Sequence, residues 1–586
     1  MSGVQRVVAV LGCLVLALLF QAPRLSGHSA GGEPYEFRPD TVVPAGDAPQ
    51  FAERWDAARI SILRYHELPS WNPWYCGGVA LFGDPEAPFP GPLFLLTFFW
   101  LPAAIGMNVW FVVHLVVGAL GVMRLAREAG ANLAEQFIAA ATVIGCSFFA
   151  YHFMWEHLSF AALLLLPWIL WSQRRALKDR RWIVLEAALF AVAAWEGGGI
   201  AVPMMAFVAI ADALARWGNR QQRGAALRAV LVTGALAALL AAPKLLSIAR
   251  TLRGHVPQES VHDGLHPAEV LDALLSEAPP DSWGHPFAWD EYAAHVGWIP
   301  LALAVIGALA ALLGRDERMR LRRIDLFLLA VALWAASGTT PVVSLWDGLH
   351  LLPAFSSLRV PSRFLFPAVL ALALLAGHGL VFLRQNLARG RSSHAIGLAE
   401  WILVGLLAAD LWSADVQAIA TTHFRLPAPQ SAAPLTATRP DFVQTAGADG
   451  VERNPWLGQG TRACYHPQFT VDVSPSLRVG PVTQQWIVPA SAGSVEPASW
   501  SPNRLTYRVD LHAPARLVIN QNADPGWSAS EGRIGSESGL LAVDLEAGVQ
   551  REVVLHHRST PPLMGPLLLL VGLAWGGVLI RRRPVG

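Results

Sequence analysis

The 586 residues are 53% hydrophobic and only 15% charged, well under the roughly 25% charge of an ordinary soluble domain, and that composition belongs in a bilayer. The formal net charge of +1 hides a segregation of Arg into a few short stretches, which excludes a basic face for nucleic acid. The four cysteines follow no zinc-binding spacing, and no His-rich cluster with ligand spacing is present.

In chain order, apolar runs predict transmembrane helices near 7–22, 106–123, 136–154, 158–173, 182–195 and 198–215, and again near 226–243, 296–314, 324–337, 364–383, 397–414 and 562–580. That makes about 12 spans. Alternate short loops carry the cations, as the positive-inside rule requires. They hold Arg124 and Arg127, then Arg174, Arg175, Lys178, Arg180 and Arg181, then Arg216, Arg220, Arg223 and Arg228. Arg315, Arg318, Arg320, Arg322 and Arg323 follow, then Arg384, Arg389 and Arg391, and finally Arg581, Arg582 and Arg583. Both termini are thereby expected on the cytoplasmic side.

The run 93–104 is aromatic, bounded by Pro, and too short to cross about 30 Å of hydrocarbon at 1.5 Å per residue. It reads as an interfacial or re-entrant helix, since counting it as a span would move the later Arg-rich loops outside. The first helix also has the features of a signal peptide, with Arg6 before an apolar core and small residues over Ser26-Gly27-His28-Ser29-Ala30.

The expected organisation is a transmembrane module over 1–414 with a large first exterior loop at 22–105, a β-rich exterior domain over 415–560, and a last membrane helix with an Arg tail over 561–586. Strand-like runs at Arg504–Leu511, Arg516–Asn520, Leu540–Leu545 and Arg551–Leu555, with the turn residues Asp524-Pro525-Gly526, predict a small antiparallel sandwich. Cys76 and Cys464 both fall outside, where a disulfide is permitted, while Cys13 and Cys146 fall in membrane helices as small core residues.

Connectors beyond roughly 15 residues are usually functional or disordered, and the first loop is too aromatic to be disordered. It carries Asp47, Asp84 and Glu86 among Trp71, Trp74, Tyr75 and Phe89. Carboxylates beside aromatic rings suit a sugar: the rings stack on the apolar face of a pyranose while a carboxylate accepts from hydroxyls or removes a proton. The plainer reading is a solvated acidic loop with interfacial Trp and Tyr anchors. Arg359 and Arg363 stand at the outer start of a membrane helix, against the positive-inside pattern, with Lys244, Arg250 and Arg253 beyond the end of another. An Arg fork there suits a phosphate, or equally the headgroups of membrane lipids. Glu156 with His157, Glu196, and Glu291 with Tyr292 and His295 also sit at outer helix ends.

The order Gly46-Asp47, Leu68-Pro69-Ser70-Trp71-Asn72-Pro73, Gly77-Gly78 and Gly83-Asp84-Pro85-Glu86, followed later by Arg359-Val360-Pro361-Ser362-Arg363 and Asn522-Ala523-Asp524-Pro525-Gly526-Trp527, resembles the YfhO-like family of bacterial polytopic membrane proteins. That family is similar in architecture to GT-C class glycosyltransferases, which take sugar from a polyprenyl-phosphate-linked donor on the outer face of the membrane.

The resemblance implies a mainly α, GT-C-like helical bundle with an exterior β-sandwich-like domain, and transfer of a sugar to an envelope glycan, lipid or protein acceptor. It implies Asp47 as catalytic base or metal-linked residue, with Asp84 as second choice. Glu86, Trp71, Asn72, Tyr75, Glu291 and Tyr292 become substrate-binding residues, with Arg359 and Arg363 on the leaving phosphate. Some GT-C enzymes use a divalent metal, and the sparse acidic cluster of this loop leaves metal use open. Where relatives show a Gly-His pair, this chain has Trp195-Glu196-Gly197-Gly198-Gly199.

Two other classes compete. A flippase of lipid-linked saccharides would place ionisable groups near the bilayer midplane, and this chain offers only His114, His378 and Asp410 there. A non-catalytic scaffold that binds envelope glycans is the other.

Overall fold

Each of the apolar runs folds as a helix. The computed structural model describes residues 3–26, 47–98, 100–217, 220–253, 263–280, 283–314, 317–356, 358–387, 393–421, 442–447, 450–464, 473–559 and 564–581. Among them, seven helical spans are long and apolar enough to cross a membrane, including Ile105–Glu128, Leu133–Met154 and Pro361–Asn386. Trp182–Trp195, Ala201–Ala215 and Trp298–Leu313 are apolar but shorter. The chain is a helical, multi-pass membrane protein with a β-rich C-terminal domain.

The bundle closes where small residues let backbones approach. At Gly307 and Gly379 a Cβ would meet the carbonyl oxygens of Leu375 and Leu303 at 2.1 and 2.0 Å, so helices Trp298–Leu313 and Leu365–Leu387 touch without side chains between them. One end of the bundle is tied by ion pairs among the Arg-rich connections. Arg174 lies between Asp212 and Asp325, His378 pairs with Asp325 at 3.1 Å, and Arg384 holds Glu135 at 2.8 Å. His378 is thus part of a buried ion-pair network rather than a lone midspan group. Arg389, Arg391, Arg582 and Arg583 lie outside the described residues, as do 27–30 of the cleavage-like string and Gly46.

At the other end stands the long first loop, and it contains a helix that the apolar pattern does not announce. Asp47–Tyr65 runs for 19 residues, with Glu53, Arg54, Asp56 and Trp55 buried along with its Ala positions. Polar side chains face inward here, so the loop helix lacks the one-sided apolar stripe of an ordinary surface helix. The local signal was the start: Asp47 followed two positions on by Pro49 is N-terminal helix chemistry. The loop then returns through a two-residue hairpin pairing Trp71 with Ala80 and Asn72 with Val79. The short helix Pro92–Thr97 follows, just before the membrane helix Ala103–Glu128.

The β-rich domain is a sandwich of two four-stranded antiparallel sheets. One sheet orders Arg533–Glu537, Leu540–Leu545, Ala515–Asn522 and Gln485–Val488; the other orders Gly493–Ser501, Arg504–Leu511, Gly548–His557 and Trp527–Ala529. Leu505, Val509, Leu517, Ile519, Leu541, Val543, Val553 and Leu555 fill the space between them. Alternation is clearest in Arg504–Leu511, whose inward residues Leu505, Tyr507, Val509 and Leu511 are all buried.

Candidate active site

The sequence-predicted residues separate into two groups. The first is the stretch Leu68–Gly78, which docks the sandwich onto the bundle. Trp71 enters the sandwich core, where its Nε1 donates to Gln521 Oε1 at 2.8 Å and its ring meets Trp527 and His557. The Ser70 and Trp71 amides donate to Asn503 Oδ1. Asn522 Nδ2 donates to the Cys76 and Gly78 carbonyls, and Cys76 is disulfide-bonded to Cys464. Asn72 is fully buried: its amide donates to Glu53 Oε2 at 2.8 Å and its carbonyl accepts from the Trp74 amide. Tyr75 packs with Cys76 and Val451. These residues serve the interface, and no open face for a sugar ring is left on Trp71 or Asn72, which are 1% and 0% exposed.

The second group meets in one cluster of charge. Asp47, first residue of the loop helix, accepts from His157 Nε2 at 3.1 Å. His157 Nδ1 lies 3.0 Å from His152 Nδ1, one of the two carrying the shared proton. Arg363 holds Glu291 through two prongs, Nε to Oε2 at 2.9 Å and a terminal nitrogen to Oε1 at 2.5 Å, and its guanidinium lies over the Phe160 ring. On the inner wall Arg54 Nε binds Asp84 Oδ2 at 2.8 Å and reaches Glu86 at 3.6 Å, while the Glu86 amide donates to Asp84 Oδ1.

The electrostatics join these pairs into one site. Burial works against charge on His157, but Asp47, then Glu291, outweighs it and holds the imidazole above its ordinary value. Glu291 would be raised by burial, yet Arg363 overrides that and holds its carboxyl at about 2. Glu86 goes the other way: burial pushes it to about 7 despite Arg54, with the like charges of Asp84 and Asp47 adding to the rise. Glu53, behind it, is raised by burial to about 8.

Exposure ranks the carboxylates. The Asp47 side chain is 19% exposed and Glu291 13%, against 4% for Asp84 and 3% for Glu86. Asp84 belongs to the wall, fixed by Arg54 and by its own turn. The residues Glu196-Gly197-Gly198-Gly199 brace that wall. The Gly199 amide donates to the Pro85 carbonyl. Gly197, at φ +79°, lies so close that a Cβ would stand 2.4 Å from the Glu86 carbonyl oxygen. Glu196 itself accepts from His114 at 2.9 Å, which pairs another midspan group.

Several predicted residues lie apart. Arg359 is turned to the Phe287 ring at 5.3 Å. Tyr292 is fully buried against Trp283 and His285. Lys244 donates to the Ala87 and Phe89 carbonyls, and burial brings its ammonium down to about 7. Arg250 donates to the Pro525 and Arg558 carbonyls. Lys244 and Arg250 thus hold backbone carbonyls.

A metal at Asp47 would require a converging donor set. Asp47 Oδ2 and His157 Nε2 face each other there as acceptor and donor, while Glu86 is turned to Arg54.

No protein-family model matches the chain, and no curated protein matches it in sequence. Among solved structures it is similar to the arabinofuranosyltransferase AftD from Mycobacteria, seen by cryo-EM as a mutant, at 18% identity and a TM-score of 0.42, over 71% of this chain and 28% of that one. It is also similar to the Archaeoglobus fulgidus oligosaccharyltransferase in the apo form, at 13% identity and a TM-score of 0.43, over 78% of this chain and 64% of that one. The chain therefore spans less than two thirds of the length of either protein, and likeness of this degree carries no functional argument.

Proposed function

We propose that the chain is a GT-C-like, YfhO-like membrane glycosyltransferase that moves a sugar from a polyprenyl-phosphate-linked donor to a cell-envelope acceptor, at the outer face of a bacterial inner membrane. One observation carries the reading: the most exposed carboxylate of a buried charge cluster, Asp47, is oriented by an imidazole and shares its surroundings with the two-pronged Arg363–Glu291 pair. In the proposed reaction the acceptor hydroxyl gives its proton to Asp47 while its oxygen attacks the anomeric carbon. The bond from that carbon to the lipid phosphate breaks, and the phosphate leaves with the electron pair. Arg363 redirects one of its N–H hydrogen bonds from Glu291 to the phosphate as the charge there grows. Glu86, neutral over much of the range below its raised value, keeps the inner wall from repelling an anionic donor.

The competing flippase needs ionisable groups left available near midspan. His114 and His378 are instead engaged by Glu196 and Asp325, and Asp410 stands 3.7 Å from His295, which favours chemistry at the helix ends near Asp47. Purified protein in lipid nanodiscs, given radiolabelled polyprenyl-phosphate sugars and a panel of envelope acceptors, is expected to transfer label to one acceptor class. Flipping of the labelled lipid in proteoliposomes with no transfer to any acceptor would replace this reading by the transporter.

A further inference from the structure

A third group of side chains meets at the same end of the bundle, outside the Asp47 cluster. Glu277, His295 and Asp410 each offer a ligating atom, and these atoms all lie within 4.8 Å of one another. They come from three separate segments: the loop after helix Pro267–Leu275, the approach to helix Trp298–Leu313, and the long helix Ser393–Thr421.

His295 is the informative member. It is 3% exposed, and neither Nδ1 nor Nε2 has a hydrogen-bond partner among the described residues. The closest charge is Asp410 Oδ2, 3.7 Å from Nε2. Burying a ring with both nitrogens unsatisfied is costly, so the position calls for a partner. The backbone nevertheless holds the ring in place: the His295 amide donates to Ser147 Oγ at 2.8 Å and its carbonyl accepts from the Ser147 amide.

Gly297 points the same way. Its φ is +77° and a Cβ there would stand 2.1 Å from Asp410 Oδ2. Only a glycine lets the Asp410 carboxylate come beside the imidazole.

We infer that Glu277, His295 and Asp410 form a binding site for a divalent first-row cation, Zn2+ or Mn2+. One imidazole nitrogen with two carboxylate oxygens is a borderline donor set that suits these ions. Ligand bonds of about 2.0–2.2 Å place neighbouring donors roughly 3–4.5 Å apart; His295 Nε2 stands 3.7 Å from Asp410 Oδ2, and all three ligand atoms lie within 4.8 Å of one another. The cation joins the segment carrying Glu291 to helix Ser393–Thr421, and so fastens the Glu291–Arg363 pair from behind. The site stands independently of the proposed transfer reaction.

The test uses tag-free, full-length protein purified in detergent, stripped with EDTA and titrated with ZnCl2 and MnCl2, with bound metal read by mass spectrometry after gel filtration and by Mn2+ electron paramagnetic resonance. Wild type is expected to retain about one equivalent, and His295→Gln and Asp410→Asn each to weaken binding at least about tenfold. Asp410 is 41% exposed, so Asp410→Asn should elute and melt like the wild-type protein in EDTA, which separates lost ligation from lost fold. No retained metal in wild type, or one equivalent bound with unchanged affinity in both variants, overturns the assignment.

Discussion

The two halves of the long first loop both carry aromatic rings, but one is rich in charge and the other has none, and their tasks are opposite. Asp47–Tyr65 with Asp84 and Glu86 buries charge against charge, leaving Asp47 partly open beside His157. Leu68–Gly78 buries rings and amides against the sandwich, with Trp71 inside the sandwich core and Asn522 holding the Cys76 and Gly78 carbonyls. The difference teaches that aromatic content alone does not mark a sugar site. A Trp whose ring is covered and whose Nε1 already has a partner is an anchor, whereas a carboxylate kept partly open within a buried network is positioned for chemistry.

The largest effect should come from the docking half. Trp71→Ala removes a fully buried indole and should lower stability by about 3–5 kcal/mol, read as a drop in apparent melting temperature. A variant that melts like wild type but binds donor poorly would reverse the roles of the two halves. Arg54→Ala leaves the buried Asp84 and Glu86 unpaired, and should also cost about 3–5 kcal/mol. Replacement of Cys76 and Cys464 together by Ser should cost about 2–4 kcal/mol, checked by thermal unfolding against oxidised wild type. Unchanged melting after that double substitution would detach the disulfide from the docking role.

The smallest effects are in pH dependence, and the charged half should show two opposite slopes. Glu291 is held at about 2, below the ordinary value of about 4.3. Its stabilisation is present above that ordinary value and is lost as pH falls toward 2. Glu86 is raised to about 7, so its contribution is intact below the ordinary carboxylate value and is lost as pH rises toward 7. Glu291→Gln should flatten the acid limb of melting temperature against pH, and Glu86→Gln the limb between about 4.3 and 7. Interchanged limbs would contradict the wiring of the cluster.

Much of the fold was legible because membrane helices and alternating strands carry strong periodic signals. The apolar runs all became helices, and Arg504–Leu511 and Leu540–Leu545 took the expected bounds. The helix Asp47–Tyr65 was hidden because its buried face includes Glu53, Arg54 and Asp56, so no apolar stripe revealed it; only Asp47 before Pro49 marked its start. The edge strand Gln485–Val488 was obscured by its length of four residues, and Gly493–Ser501 by its Pro, Ser and Gly. At the site, residue type pointed to Asp47, Asp84, Glu86, Glu291 and Arg363, which the fold gathers from segments more than 200 residues apart. It could not tell Arg359 from Arg363, since which of two cations four positions apart meets Glu291 depends on the short 3-10 turn Pro361–Phe364. His152 was missed because it sits within an apolar helix, where its pairing with His157 leaves no mark in the sequence.

The most direct measurement is sugar transfer from labelled polyprenyl phosphate by wild type, Asp47→Asn and Asn72→Ala, each normalised to folded protein. Loss of a positioned base is worth about 10²–10⁴ in rate, so Asp47→Asn should fall at least about 100-fold while melting within a few degrees of wild type. Asn72→Ala should melt lower, with the rate per folded molecule kept. Wild-type transfer by Asp47→Asn would contradict the account at its centre.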